Sequence, residues 1–238
     1  MTRLCLVGLF ALTLLGCAAP TLPPKGPVPS SVAAPQVKVG DFWEYAVRDA
    51  YTQLPFGTYR YEVTRVDGQG VAVDVKRNGA LIDTFFYAPD WNPREMPLRN
   101  VQRLRFQTPF PAYPYPLEPG KTWHTVVKAF DPANGKTYNV HVQGKVMGWE
   151  RVNVPAGEFD ALRVRRYIFA GNAEWFQSQE EIIEHDWYVP SVGRSVREEG
   201  KSQHVDHSRS EGGAGDGGGM PMIVRGDWLI ADLVRFSR

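Results

Sequence analysis

Tyr59-Arg60-Tyr61-Glu62-Val63-Thr64-Arg65-Val66-Asp67-Gly68-Gln69-Gly70-Val71-Ala72-Val73-Asp74-Val75 is the stretch that decides the fold. Tyr59, Tyr61 and Val63 alternate with Arg60, Glu62 and Thr64, and Val71, Val73 and Val75 resume the alternation after Asp67-Gly68-Gln69-Gly70. Successive side chains of a strand point to opposite faces, so this pattern is a half-buried strand pair joined by a tight turn. The pattern recurs at Tyr138, Val140 and Val142 and at Leu162 and Val164. No window carries an amphipathic helical period of any length. The expected fold is all-β and mainly antiparallel: a strongly curved sheet, a half-open barrel or a sandwich.

The β domain is expected over residues 36–238. Gly40-Asp41-Phe42-Trp43 and Gly120-Lys121-Thr122-Trp123 each introduce a set of strands, and Phe86-Tyr87-Ala88-Pro89 and Trp187-Tyr188-Val189-Pro190 close them. This echo predicts halves of about 36–119 and 120–238 built from two similar meanders, unless two matching corners arose independently. Between them, Ala88 to Gly120 holds eight prolines together with Trp91, Phe110, Tyr113 and Tyr115. Two readings stand: an arm presenting those aromatics to a partner or covering a ligand cavity, or a crossover whose aromatics plug the end of the sheet. Residues 212–219 contain six glycines and are read, within 211–219, as a flexible hairpin loop. No helix follows them and no Lys-Ser/Thr pair is present, so they are no phosphate cradle.

The N-terminus carries the compartment. Arg3 precedes an apolar run from Leu4 to Leu15, twelve residues long and too short for a bilayer that needs about 20. Leu14-Leu15-Gly16-Cys17 follows. The segment resembles a bacterial lipoprotein signal peptide, 1–16, which implies cleavage between Gly16 and Cys17 and acylation of Cys17. Ala18 stands where the inner-membrane retention signal of many Gram-negative lipoproteins has Asp. The resemblance thus implies a lipid-anchored envelope protein, at the outer membrane facing the periplasm if the source is Gram-negative. Six prolines in residues 18–35 favour extended polyproline II, so 17–35 is expected to be a tether reaching roughly 50 Å.

Val152-Asn153-Val154-Pro155-Ala156-Gly157-Glu158-Phe159-Asp160-Ala161, followed by Asp186-Trp187-Tyr188-Val189-Pro190-Ser191-Val192-Gly193, is similar to exported bacterial β proteins of the TapB-like group. That resemblance implies fold and compartment and brings no chemistry with it.

Composition narrows the function. Of 27 basic residues, Arg3 leaves with the signal, so 26 face 26 acids, and a neutral domain has no electrostatic case for nucleic acid. Cys5 and Cys17 both fall in the export segment, which leaves the mature domain without a thiol nucleophile or disulfide. No Gly-x-Ser-x-Gly elbow and no cofactor motif is present. Glu180-Glu181 and Glu198-Glu199 are neighbours on strands, so each pair splits across two faces. His185, His204 and His207 are the best metal candidates, but His204 and His207 fall on opposite faces of a strand. The leading expectation is a non-enzymatic lipoprotein binding an apolar ligand, in a cavity of several hundred Å³, or an envelope protein. A structural accessory lipoprotein and a metal-dependent hydrolase using His185, His204 and His207 are the alternatives.

Overall fold

The computed structural model describes residues 22–99, 101–171, 177–207 and 221–238. Residues 1–16, Cys17 and the Gly-rich 211–219 segment lie outside the described residues. Twelve strands follow one another: β1 (Phe42–Asp49), β2 (Pro55–Asp67), β3 (Gly70–Arg77), β4 (Ala80–Tyr87), β5 (Pro93–Pro97), β6 (Arg103–Phe106), β7 (Thr122–Asp131), β8 (Lys136–Val154), β9 (Gly157–Ala170), β10 (Glu180–Val189), β11 (Arg194–Asp206) and β12 (Met222–Ser237). Each pairs antiparallel with the next, and β12 pairs back onto β1, closing an up-and-down barrel. Closure leaves no unpaired edge among these strands, and it decides between the curved-sheet, half-open and sandwich expectations.

The turn at Asp67–Gly70 is as expected: Asp67 Oδ1 accepts from the amides of Gln69 and Gly70. Gly70 has φ +141°, and a Cβ there would lie 2.1 Å from the Tyr87 carbonyl oxygen. Only glycine fits.

Six strands precede residue 120 and six follow it. The echoed motifs occupy matching places, with Gly40 (φ +92°) and Gly120 (φ +89°) before β1 and β7, and Tyr87 and Tyr188 near the ends of β4 and β10. Both sets close into a single barrel.

The inward rows are Trp43, Tyr45 and Val47 on β1, Val63 on β2, Val71, Val73 and Val75 on β3, and Leu162, Val164, Ile168 and Ala170 on β9, all buried. The outward rows are charged. Glu44 pairs with Arg235 at 2.9 Å, Glu62 with Arg60 and Lys76 at 3.1 Å, and Asp232 with Arg48 and Arg197 at 2.6 and 2.5 Å. A membrane-spanning barrel needs an apolar outer belt, and these rungs are the opposite.

Twelve strands enclose more space than their own side chains fill. The proline-rich crossover fills the remainder. Phe110 is 1% exposed, Trp91 3% and Leu117 0%, while Tyr113 and Tyr115 are half-buried against Tyr188. Trp91, Phe110, Tyr113 and Tyr115, expected as a ligand or partner surface, turn into the barrel and not outward. Burial stabilises these rings inside an oversized barrel, and they plug it.

The described part of the tether is corrected too. Residues 22–35 do not stand away as a stalk; they are strapped to the barrel. Leu22 bridges to Arg151, Val32 exchanges backbone hydrogen bonds with Leu117 at 2.8 Å, and the Lys25 amide donates to Asp160. Trp149 Nε1 donates to the Pro29 carbonyl at 3.1 Å, and Val32 and Pro35 are buried. A polyproline stretch leaves its backbone groups without internal partners; the part of β8 beyond its pairing with β7, Asp160 of β9 and Leu117 of the crossover supply them.

Candidate functional site

Charged residues sit in the middle of the barrel, on the inward phase of three neighbouring strands. β9 runs Leu162, Val164, Arg166, Ile168, Ala170 along its inward face, so Arg166 breaks an apolar row. Register places Glu184 of β10 opposite Arg166, and Asp186 opposite both Val164 and Glu198 of β11. The adjacent pair Glu198-Glu199 does split across two faces, as expected from the strand. The acidic partners come instead from the neighbouring strand.

Arg166 is 5% exposed and uses its whole guanidinium. Nε and Nη2 donate to Glu184 Oε2 at 3.0 and 2.9 Å, Nη2 also donates to Asp186 Oδ2 at 2.5 Å, and Nη1 donates to the Ala112 carbonyl at 3.2 Å. Burial alone would lower its pKa, but Asp186 and Glu184 outweigh that and hold it protonated. Tyr113, brought in by the crossover, donates its hydroxyl to Asp186 Oδ2, lies 3.0 Å from Ser195 Oγ, and stacks its ring under Arg166. Burial, reinforced by the Asp186 charge, pushes the Tyr113 phenol well above its usual value.

A second guanidinium, Arg194, lies 4.1 Å over the Tyr61 ring and 3.5 Å from Glu198 Oε1. Burial pushes the Glu198 carboxyl above the usual carboxylate range, and the neighbouring Arg194 only partly opposes it. Three apolar clusters pack the interior, with Trp43, Tyr45, Val73 and Leu233 in one, Leu104, Phe110, Val142 and Ile168 in a second, and Leu117, Val146, Leu162 and Tyr188 in a third.

A cavity of about 110 Å³ opens within the layer. Its wall combines Arg99, Arg166, Arg194, Glu184 and Glu198 with Trp91, Met96 and Phe110. An acyl chain or other apolar ligand needs several hundred Å³ of apolar lining. The cavity in this layer is smaller and more charged than an apolar ligand of that size requires. The crossover aromatics do cover a cavity, but a polar one.

The histidines do not converge. His185 is on the outer face, opposite Arg165 and Glu199, and accepts at Nδ1 from Arg163 Nη2 at 3.1 Å. Burial and then Arg163 lower its pKa to about 4. His204 faces inward, its Nδ1 3.1 Å from Glu180 Oε2, and His207 is exposed past the end of β11. Among the described residues no three His, Cys, Asp or Glu are arranged to hold a metal ion, so the hydrolase alternative loses the geometry it required.

Sequence reasoning missed Arg99, Arg166, Glu184, Asp186, Arg194 and Glu198 as a group. The signal for one of them was present, since Arg166 interrupts the apolar phase of its strand. The partnership depends on inter-strand register.

No family model matches the chain, and no curated relative matches it. The TapB-like resemblance therefore rests on its motifs, which form the β8–β9 turn and the end of β10. Three solved structures are similar in shape at low identity. A protein described as a candidate lipoprotein from Parabacteroides distasonis is 15% identical with a TM-score of 0.46, covering 88% of this chain and 100% of its own. A candidate exported protein with a YmcC-like fold from Bacteroides fragilis is 14% identical with a TM-score of 0.45, covering 87% and 100%. The hypothetical lipoprotein YmcC from Escherichia coli is 9% identical with a TM-score of 0.39, covering 83% and 85%.

Proposed function

We propose that this chain is an envelope lipoprotein whose barrel is a non-catalytic binding domain for another envelope protein, held close to the membrane by acylated Cys17. The observation that carries the reading is the strap. Only four residues lie between Cys17 and Leu22, the first residue fixed to the wall by its bridge to Arg151. The five Cα steps span at most about 18 Å. The β8–β9 end then faces the bilayer, and the reach is far shorter than a free tether would give.

Alternation of the strands places the β1–β2 and β3–β4 turns at the opposite end. There Tyr51, Leu54, Leu81 and Ile82 are 46%, 64%, 58% and 53% exposed. Apolar side chains exposed at the β1–β2 turn and the start of β4 support protein contact on the side away from the membrane. An outer-membrane, periplasm-facing location is part of the same proposal and follows from Ala18 after the Cys in a Gram-negative source.

Metabolic labelling with palmitate tests the anchor. The full chain should label and partition with membranes, while Cys17→Ala should do neither; label retained in Cys17→Ala refutes the anchor. Site-specific cross-linking from Leu54 and Leu81 tests the partner face. Adducts with a discrete envelope protein support it, and adducts indistinguishable from those of a probe at Glu158 sink it.

A further inference from the structure

Arg99 has no part in the ion pairs that organise the interior. It follows Leu98 in the turn after β5 and reaches the cavity, where it lies directly over Gly200 of β11. A Cβ at position 200 would be 2.5 Å from Arg99 Nε and 2.6 Å from Nη2. Glycine in mid-strand weakens the strand, and one reason to find it there is close approach by another group. Here that group is a guanidinium.

The other two interior arginines have carboxylate partners, although Arg194 Nε, like that of Arg99, is buried without a hydrogen bond. Arg166 is held by Glu184 and Asp186, and Arg194 by Glu198 and the surrounding tyrosines. Arg99 makes no ion pair with a described carboxylate, and its buried Nε has no hydrogen-bond partner. Arg99 as a whole is half-buried, but a buried donor such as its Nε left unmade is costly. The cavity wall carries Arg99, Arg166 and Arg194 beside Glu184, Asp186, Glu198 and Glu199; Arg166 and Arg194 have carboxylate partners there, and Arg99 lies beside the empty volume without one.

We propose that the interior cavity binds a short-chain monocarboxylate, its carboxylate on the Arg99 guanidinium and its alkyl end against Trp91, Met96 and Phe110. A guanidinium matches a carboxylate edge in a bidentate fork. At about 110 Å³ the space suits a group of acetate to butyrate size. The apolar wall disfavours a fully hydrated dianion such as phosphate. The inference is independent of the membrane anchor, so it holds equally for the Cys17→Ala chain.

The test is a titration of the full chain with acetate, propionate, butyrate and inorganic phosphate at constant ionic strength, following the Trp91 indole N–H by NMR. Saturable shifts with the carboxylates, strengthening with alkyl length, are expected. Arg99→Gln should weaken binding about tenfold or more, as loss of a charge-assisted fork implies. Its urea midpoint should not fall, because Arg99 makes no ion pair with a described carboxylate. Gly200→Ala, which displaces the guanidinium, should weaken binding as well. No saturation below about 50 mM, a dissociation constant too weak for a built site, overturns the proposal. So does preference for phosphate, or unchanged affinity in Arg99→Gln.

Discussion

Replacing Arg166 by Met tests whether the polar layer is a buried ionic structure or a solvated channel. The Arg166 side chain is 6% exposed, as is that of Asp186, with Glu184 at 19%. The substitution removes three hydrogen bonds to carboxylates and one to the Ala112 carbonyl, and it leaves two interior carboxylates facing each other without a cation. Breaking a buried pair by deleting one partner costs about 3–5 kcal/mol, most of it the stranded charge and little of it the lost attraction. For a chain of this size each kcal/mol moves the melting temperature by roughly 2–4 °C, so a fall of roughly 6–20 °C is expected. Urea denaturation followed by tryptophan fluorescence should show a lower midpoint with an unchanged slope. The triple variant Arg166→Met, Glu184→Gln, Asp186→Asn removes the stranded charges and should recover more than half of the loss. A single-variant cost below about 1 kcal/mol, the range of an exposed pair, would refute the reasoning.

Three further outcomes follow from other parts of the barrel. The raised Glu198 carboxyl means the folded state holds a proton that the unfolded chain releases, so its burial destabilises increasingly as pH rises above the ordinary glutamate value of 4.5. Glu198→Gln should therefore gain on the parent chain between about pH 5 and 8 in urea midpoints, and a gap that shrinks over that range contradicts this. His185 has the opposite sign, because its pKa falls from 6.5 to about 4 and the unfolded chain binds the extra proton. Stability should fall as pH drops through that window, and His185→Gln should flatten the fall; parallel curves refute the assignment. Gly70→Ala meets the Tyr87 carbonyl at 2.1 Å with φ +141°, whereas Gly79→Ala at φ +87° meets nothing within 4 Å. Backbone strain costs about 1–3 kcal/mol at either position, and overpacking adds about 1–3 at the first. Thermal melts showing equal losses would mean the β2–β3 turn yields more easily than its geometry implies.

The crossover and the strap show where sequence reading stops. Trp91, Phe110, Tyr113 and Tyr115 lie among prolines with no strand period around them, so nothing local says whether such rings point out or in. Their direction follows from the width of a twelve-stranded barrel, which no single segment encodes. Residues 22–35 read as a stalk because polyproline II has no internal hydrogen bonds; the partners at Arg151, Leu117 and Asp160 are some 80 to 135 positions away. The candidate site divides in the same manner. Arg166 is visible as a charge in an apolar row, whereas Asp186 becomes its partner only through the β9–β10 register.

Local sequence specifies the antiparallel β class, the turn at Asp67–Gly70, the two sets of strands on either side of residue 120 and the confinement of both cysteines to the first 17 residues. Each of these is local, set by period-two alternation, turn chemistry or residue counts. Only the tertiary structure decided that the sheet closes, that the aromatics plug it, and that Arg166, Glu184 and Asp186 meet while Arg99 is left with its charge unmatched. Closure and register depend on hydrogen bonds between strands far apart in the chain. A one-residue slip would turn every inward charge outward.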